Sequence, residues 1–116
     1  MISNEFNPLR ALGIGTPLLV AWNFTTDIYG DETLVQDHNG QITCARSTNT
    51  YVFTISEAGD PATWDVTDAV FVSHDQEKAI NCAWSTDPTA GTVTLAFDTD
   101  LDSAEVSVVL YGRDNT

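Results

Sequence analysis

The chain has 116 residues, 42% of them hydrophobic, with 17 acidic side chains against 4 basic ones and a formal net charge of -13. Phosphate backbones and anionic membranes repel such a chain at long range, so nucleic acid and membrane are not expected among its partners. Its apolar content is too high for an acidic disordered segment, and its length fits one domain burying about two-thirds of its unfolded surface.

In chain order, the first sixteen residues follow neither the helical nor the strand period. Asn4, Asn7, Pro8, Gly13, Gly15 and Pro17 interrupt any helix longer than the single turn that Pro8-Leu-Arg-Ala-Leu12 allows, so residues 1–16 read as an extended arm ahead of a domain spanning 17–116. Phe6, Leu9, Leu12, Ile14, Leu18 and Leu19 are more apolar residues than a free tail carries. Phe6, Leu9, Arg10, Leu12 and Ile14 are therefore the candidate interface, and packing of the arm on its own domain as a first strand is the other reading. No basic residue precedes Arg10, as a secretory leader would need, and the apolar stretch 12–22 falls short of the roughly 20 residues that cross a bilayer. A soluble protein that is not exported by its own sequence is expected. Without a secretory route, the sequon Asn23-Phe-Thr25 has no use.

Strand signals then follow at 18–24, 33–35, 41–46, 50–56, 69–73 and 79–84, each short, rich in β-branched and aromatic residues, and bounded by Gly, Asp, Asn or Pro. Asn39-Gly40 tolerates positive φ and suits a reversal between two of them. A single helical turn fits 62–68. At the end of the chain Val93, Leu95 and Phe97 alternate with Thr92, Thr94 and Ala96, and Val106, Val108 and Leu110 alternate with Glu105, Ser107 and Val109. Residues 91–112 thus read as one β-hairpin with an acidic connection. The fold class that follows is all-β, an antiparallel β-sandwich of jelly-roll or immunoglobulin-like order with an N-terminal arm. Its inward residues are expected to be Val20, Trp22, Phe24, Ile42, Tyr51, Phe53, Ile55, Ile80, Trp84, Val93, Leu95, Phe97, Val106, Val108 and Leu110.

No catalytic constellation stands out. Asp98, Asp100 and Asp102 are weak calcium candidates, because carboxylates at alternate loop positions can supply oxygen ligands. An EF-hand would need glycine at the sixth position and a carboxylate at the twelfth, where Val109 stands, so a solvated turn is the better reading. The second acidic group, Asp27, Asp31, Glu32 and Asp37, reads the same way. His74 adjoins Asp75, yet no nucleophile elbow accompanies the pair. Cys44 and Cys82 lack metal-ligand spacing and read as buried free thiols, with a disulfide between opposing sheets as the alternative. Of Trp22, Trp64 and Trp84, only Trp64 falls in a loop, where it is a candidate interface or ligand aromatic and reads as a loop anchor or subunit contact sooner than as a sugar platform. No metal and no cofactor is expected.

An apolar arm and first strand are followed by Gln41-Ile-Thr-x-Ala-Arg, Thr50-Tyr-Val-Phe-Thr-Ile, Ala-Val-Phe-Val-Ser at 69–73, and a closing Thr-Val-Thr-Leu-Ala-Phe with Ala-Glu-Val-Ser-Val-Val-Leu-Tyr-Gly-Arg-Asp. This arrangement, over most of residues 18–114, resembles the capsid decoration, or cement, proteins of tailed bacteriophages. The resemblance implies a non-enzymatic virion protein, assembled in the host cytoplasm, that binds the major capsid protein on the capsid surface. It further implies a homotrimer seated at junctions between hexameric and pentameric units. A carbohydrate- or receptor-binding sandwich of a phage fibre or tail is the alternative class, and a hydrolase is a third.

Overall fold

Short runs of alternating apolar and polar residues bury one face only when they pair into sheets. The computed structural model describes residues 16–114, in which nine strands and no helix form. They are β1 (Thr16–Thr26), β2 (Glu32–Gln36), β3 (Ile42–Ser47), β4 (Thr50–Glu57), β5 (Asp60–Pro61), β6 (Val66–His74), β7 (Cys82–Asp87), β8 (Thr92–Phe97) and β9 (Glu105–Asp114). The first antiparallel sheet has the order β2-β1-β9-β6 and the second β3-β4-β8-β7, with β5 paired to β4. The arm expected at 1–16 lies outside the described residues except for Thr16, which opens β1.

The two sheets pack through the expected alternation. Leu18, Val20, Trp22 and Phe24 of β1 and Val106, Val108 and Leu110 of β9 face Tyr51, Phe53 and Ile55 of β4 and Val93, Leu95 and Phe97 of β8, all buried. Trp22 and Phe24 each meet Phe53, with ring centroids 5.3 and 5.2 Å apart, and Phe24 also meets Tyr51 at 5.3 Å. These tilted contacts add to the burial of each large side chain, about 1.5–3 kcal/mol apiece.

Several expectations are corrected. Residues 91–112 are not a hairpin, because β8 and β9 belong to different sheets and their connection crosses the sandwich. Leu101 and Ala104 of that connection are buried in the core, and the Thr26 hydroxyl accepts the Ala104 N–H at 2.9 Å. Alternation reports which face is buried, not which strand lies alongside. Asn39-Gly40 also turns the chain between sheets, from β2 to β3, with φ of 60° and 83° at the two residues.

The cysteines do not lie on opposing sheets. Cys44 and Cys82 sit on the two edge strands of the second sheet, separated by about 14 Å across the sheet and by a further four residues along it, well beyond the reach of a disulfide. Both are free and lean on the core.

The tryptophans exchange places. Trp84 does share the inner side of its sheet, since its cross-strand partner Leu95 is fully buried, but β7 is an edge strand and leaves the indole 42% exposed. Trp64 is only 5% exposed. Its Nε1–H donates to Thr67 Oγ1 at 2.7 Å, and that hydroxyl shares a 2.8 Å hydrogen bond with Thr86 Oγ1, tying β6 to β7. The segment around it makes no helical turn; it runs extended into β6. Ile80 precedes β7 and is half-buried against the core. Two glycines make room for this packing. A Cβ on Gly112 would stand 3.3 Å from the Trp64 ring and 2.7 Å from the Val66 carbonyl oxygen, and Gly91, at φ +72°, would bring one within 2.4 Å of the Ala62 carbonyl oxygen.

Candidate functional site

The strand period that fills the core also decides what faces outward. On the first sheet, three cross-strand rows point away from the core: Leu19, Tyr111 and Ala69; Ala21, Val109 and Phe71; Asn23, Ser107 and Ser73. None of these nine side chains is charged, although the chain carries a net charge of -13. Phe71 is 59%, Leu19 48% and Tyr111 44% exposed, and the two rings meet edge to face at 5.4 Å. Val35, on the neighbouring β2, is exposed as well. Charge returns only at the ends of β9. Glu105 stands at one end, and at the other Arg113 Nε donates to Asp68 at 3.0 Å.

A shallow depression of about 220 Å³ opens into this face, lined by Ala21, Trp22, Asn23, Gln36, Ser107, Val108 and Val109. It lies where a β-bulge at Asn23 and Phe24 loosens the pairing of β1 with β2. Asn23 Oδ1 and Trp22 Nε1 are buried without a hydrogen-bond partner. A buried orphan acceptor or donor costs about 1–3 kcal/mol, which marks the bulge as the least satisfied part of the sheet.

The outward rows of the second sheet differ in kind. Thr43, Thr54, Thr92 and Asp87 lie in register, as do Ala45, Val52, Thr94 and Ser85, and then Ser47, Thr50, Ala96 and Ala83. Those rows contain no aromatic residue, and seven of their side chains carry a hydroxyl.

The residues singled out from sequence do not converge. Phe6, Leu9, Arg10, Leu12 and Ile14 lie outside the described residues, and buried Trp64 presents no ring to a ligand. Asp98 accepts the Asn81 N–H at 3.0 Å and its side-chain amide at 2.9 Å, while Asp102 accepts the Ser103 hydroxyl at 3.1 Å. Among the described residues no three His, Cys, Asp or Glu side chains come together as a metal group. His74 Nδ1 accepts the Gln76 N–H, and Asp75 accepts the Glu105 N–H at 2.9 Å, so these residues secure a loop. That backbone hydrogen bond, and a second from Gln76, hold the Asp75 carboxyl below its ordinary range.

The other acidic group is a turn as well. Asp27 caps it by accepting the Tyr29 and Asp31 N–H groups, and Arg46 clips it through Asp31 at 2.6 Å and the Tyr29 carbonyl at 2.7 Å. Burial, aided by the charge of Glu32, pushes the Cys44 thiol up to about 12, and burial pushes Cys82 up to about 11. Neither sulfur is a thiolate at neutral pH, the form a nucleophile requires.

No family model, no curated protein and no solved structure matches the chain. Among the described residues no helix is long and apolar enough to cross a membrane.

Proposed function

We propose that this chain is a structural protein of a tailed-bacteriophage head that binds the major capsid protein from outside and decorates or stabilises the lattice. One observation carries this reading: the prominent surface feature is an uncharged, largely apolar sheet face on a chain of net charge -13, with Leu19 of β1 exposed on it. An adhesive protein needs a rigid body, a surface that excludes water and an outer surface that stays hydrated. The two-sheet core, the arm with Leu19, and the acidic loops correspond to these. The sequence arrangement that resembles cement proteins supports the same assignment.

The test is co-sedimentation with emptied heads. The full chain is expected to pellet with them to a fixed stoichiometry, and a chain lacking residues 1–16 to keep its β-sheet circular dichroism but stay in the supernatant. Normal decoration by the shortened chain counts against the arm, and no decoration by either counts against the assignment.

The receptor-binding reading rests now on Trp84, whose exposed indole at the β7 edge replaces Trp64 as the available ring. Glycan-array binding abolished by Trp84→Ala, with no affinity for heads, is its distinguishing result.

A further inference from the structure

We infer that the outer face of the β2-β1-β9-β6 sheet pairs with the same face of a second copy, about a two-fold axis passing through Val109. Three strands of about ten residues and the five-residue β2, about 4.8 Å apart and rising about 3.4 Å per residue, give a footprint of roughly 570 Å². That is smaller than the roughly 800 Å² per partner of a standard interface and suits a pairing that depends on concentration. Its anatomy is that of an interface too, with Leu19, Phe71, Val109 and Tyr111 at the centre and Thr25, Thr33, Ser73 and Ser107 towards the rim.

Charge selects the occupant and its orientation. Two copies of net charge -13 repel wherever their acidic loops approach, and the nine central side chains of this face let them touch with no carboxylate among them. Val109 is the outward midpoint of β9, with Glu105 four residues before it and Arg113 four residues after. A two-fold axis there stacks the strand antiparallel on its mate, so that Arg113 approaches the partner subunit's Glu105 at both ends. The Arg113 side chain is about one-third exposed and engages Asp68 through Nε, and a guanidinium has further N–H donors to offer. The same operation sets the Tyr111 hydroxyl towards the partner subunit's Ser107. A self-complementary surface of this kind closes as a pair. The trimer implied by the resemblance would have to use another surface.

The experiment needs no viral heads, so its outcome is independent of the capsid assignment. Light scattering on the full chain, from about 1 μM to about 1 mM, is expected to show a dimer, and Phe71→Glu to weaken it about thirtyfold or more with unchanged circular dichroism. Should Phe71→Glu misfold, Phe71→Ser gives the same reading without a buried charge. Val109→Cys is expected to cross-link to itself with a short bismaleimide, whereas Thr54→Cys on the opposite face is not. A monomer throughout, a trimeric mass, or equal cross-linking through Thr54→Cys overturns the pairing. So does a full chain that is monomeric but dimerises once residues 1–15 are removed, because the arm then occupies the face.

Discussion

The two outer faces of the sandwich are built on the same backbone pattern and differ almost entirely in what stands at the outward positions. On the first sheet these are Leu19, Ala21, Ala69, Phe71, Val109 and Tyr111, with Asn23, Ser73 and Ser107 beyond them; on the second they are mostly Thr and Ser, among them Thr43, Thr50, Thr54, Thr92 and Thr94. Both kinds of residue suit a strand, so β propensity does not explain the choice. The hydroxyl face can be hydrated without a partner. The apolar face leaves three large side chains between 44% and 59% exposed, which an acidic protein tolerates best where something covers them.

The comparison breaks most plainly at two phenylalanines. Phe53→Ala, in the core, is expected to cost about 3–5 kcal/mol in urea unfolding, whereas Phe71→Ala, on the outer face, should cost less than about 1 kcal/mol. Equal losses would mean that Phe71 belongs to the fold. Trp64→Ala and Trp84→Ala should separate similarly but by less, about 3 kcal/mol against about 1, because half-exposed Trp84 has less burial to lose.

Grafting one face onto the other sharpens the contrast. Thr54→Phe combined with Thr94→Tyr reproduces the diagonal ring pair on the second sheet, and a chain apolar on both outer faces should grow into open assemblies visible as rising turbidity. A dimer of unchanged mass would show that ring exposure is not sufficient for contact.

Salt should have a milder effect. Raising the salt from about 0.02 M to about 0.3 M should tighten self-association severalfold, since screening relieves repulsion between acidic copies. Weakening would place ion pairs, rather than apolar contact, in control.

The smallest effect concerns Asp75. Its folded carboxyl titrates below the unfolded value, so the stability it contributes is complete above about pH 4 and is lost as pH falls through the lower, folded value. The stability gap between the native chain and Asp75→Asn should therefore hold from neutral to mildly acid pH and close below about pH 4. A gap that widens in acid would contradict the sign of the shift.

Much of this architecture was legible in the sequence, because period-two alternation reports burial directly. Phe24, Phe53, Leu95 and Val108 face inward as their spacing requires. Strand partnership was not legible: β8 and β9 carry ideal hairpin patterns, yet Leu101 enters the core and sends the chain to the other sheet. Trp84 was assigned to the correct side of its strand, but edge position, a property of the whole sheet, decides its exposure. Trp64 fits the reading of a loop anchor and not that of an exposed ring, and nothing local reveals that Gly112 and Gly91 leave room around its segment. The uncharged face escaped notice for a related reason. Leu19, Phe71 and Tyr111 are far apart in sequence, and only the register of β1, β9 and β6 sets them side by side.

Carbene footprinting of the full chain at low and high concentration tests most directly whether this face is the working surface. The account predicts that labelling of Leu19, Phe71 and Tyr111 falls as the protein is concentrated while labelling of Val52, Thr54 and Thr94 stays constant. Unchanged labelling of the three apolar residues, or protection of the threonine face instead, would contradict it.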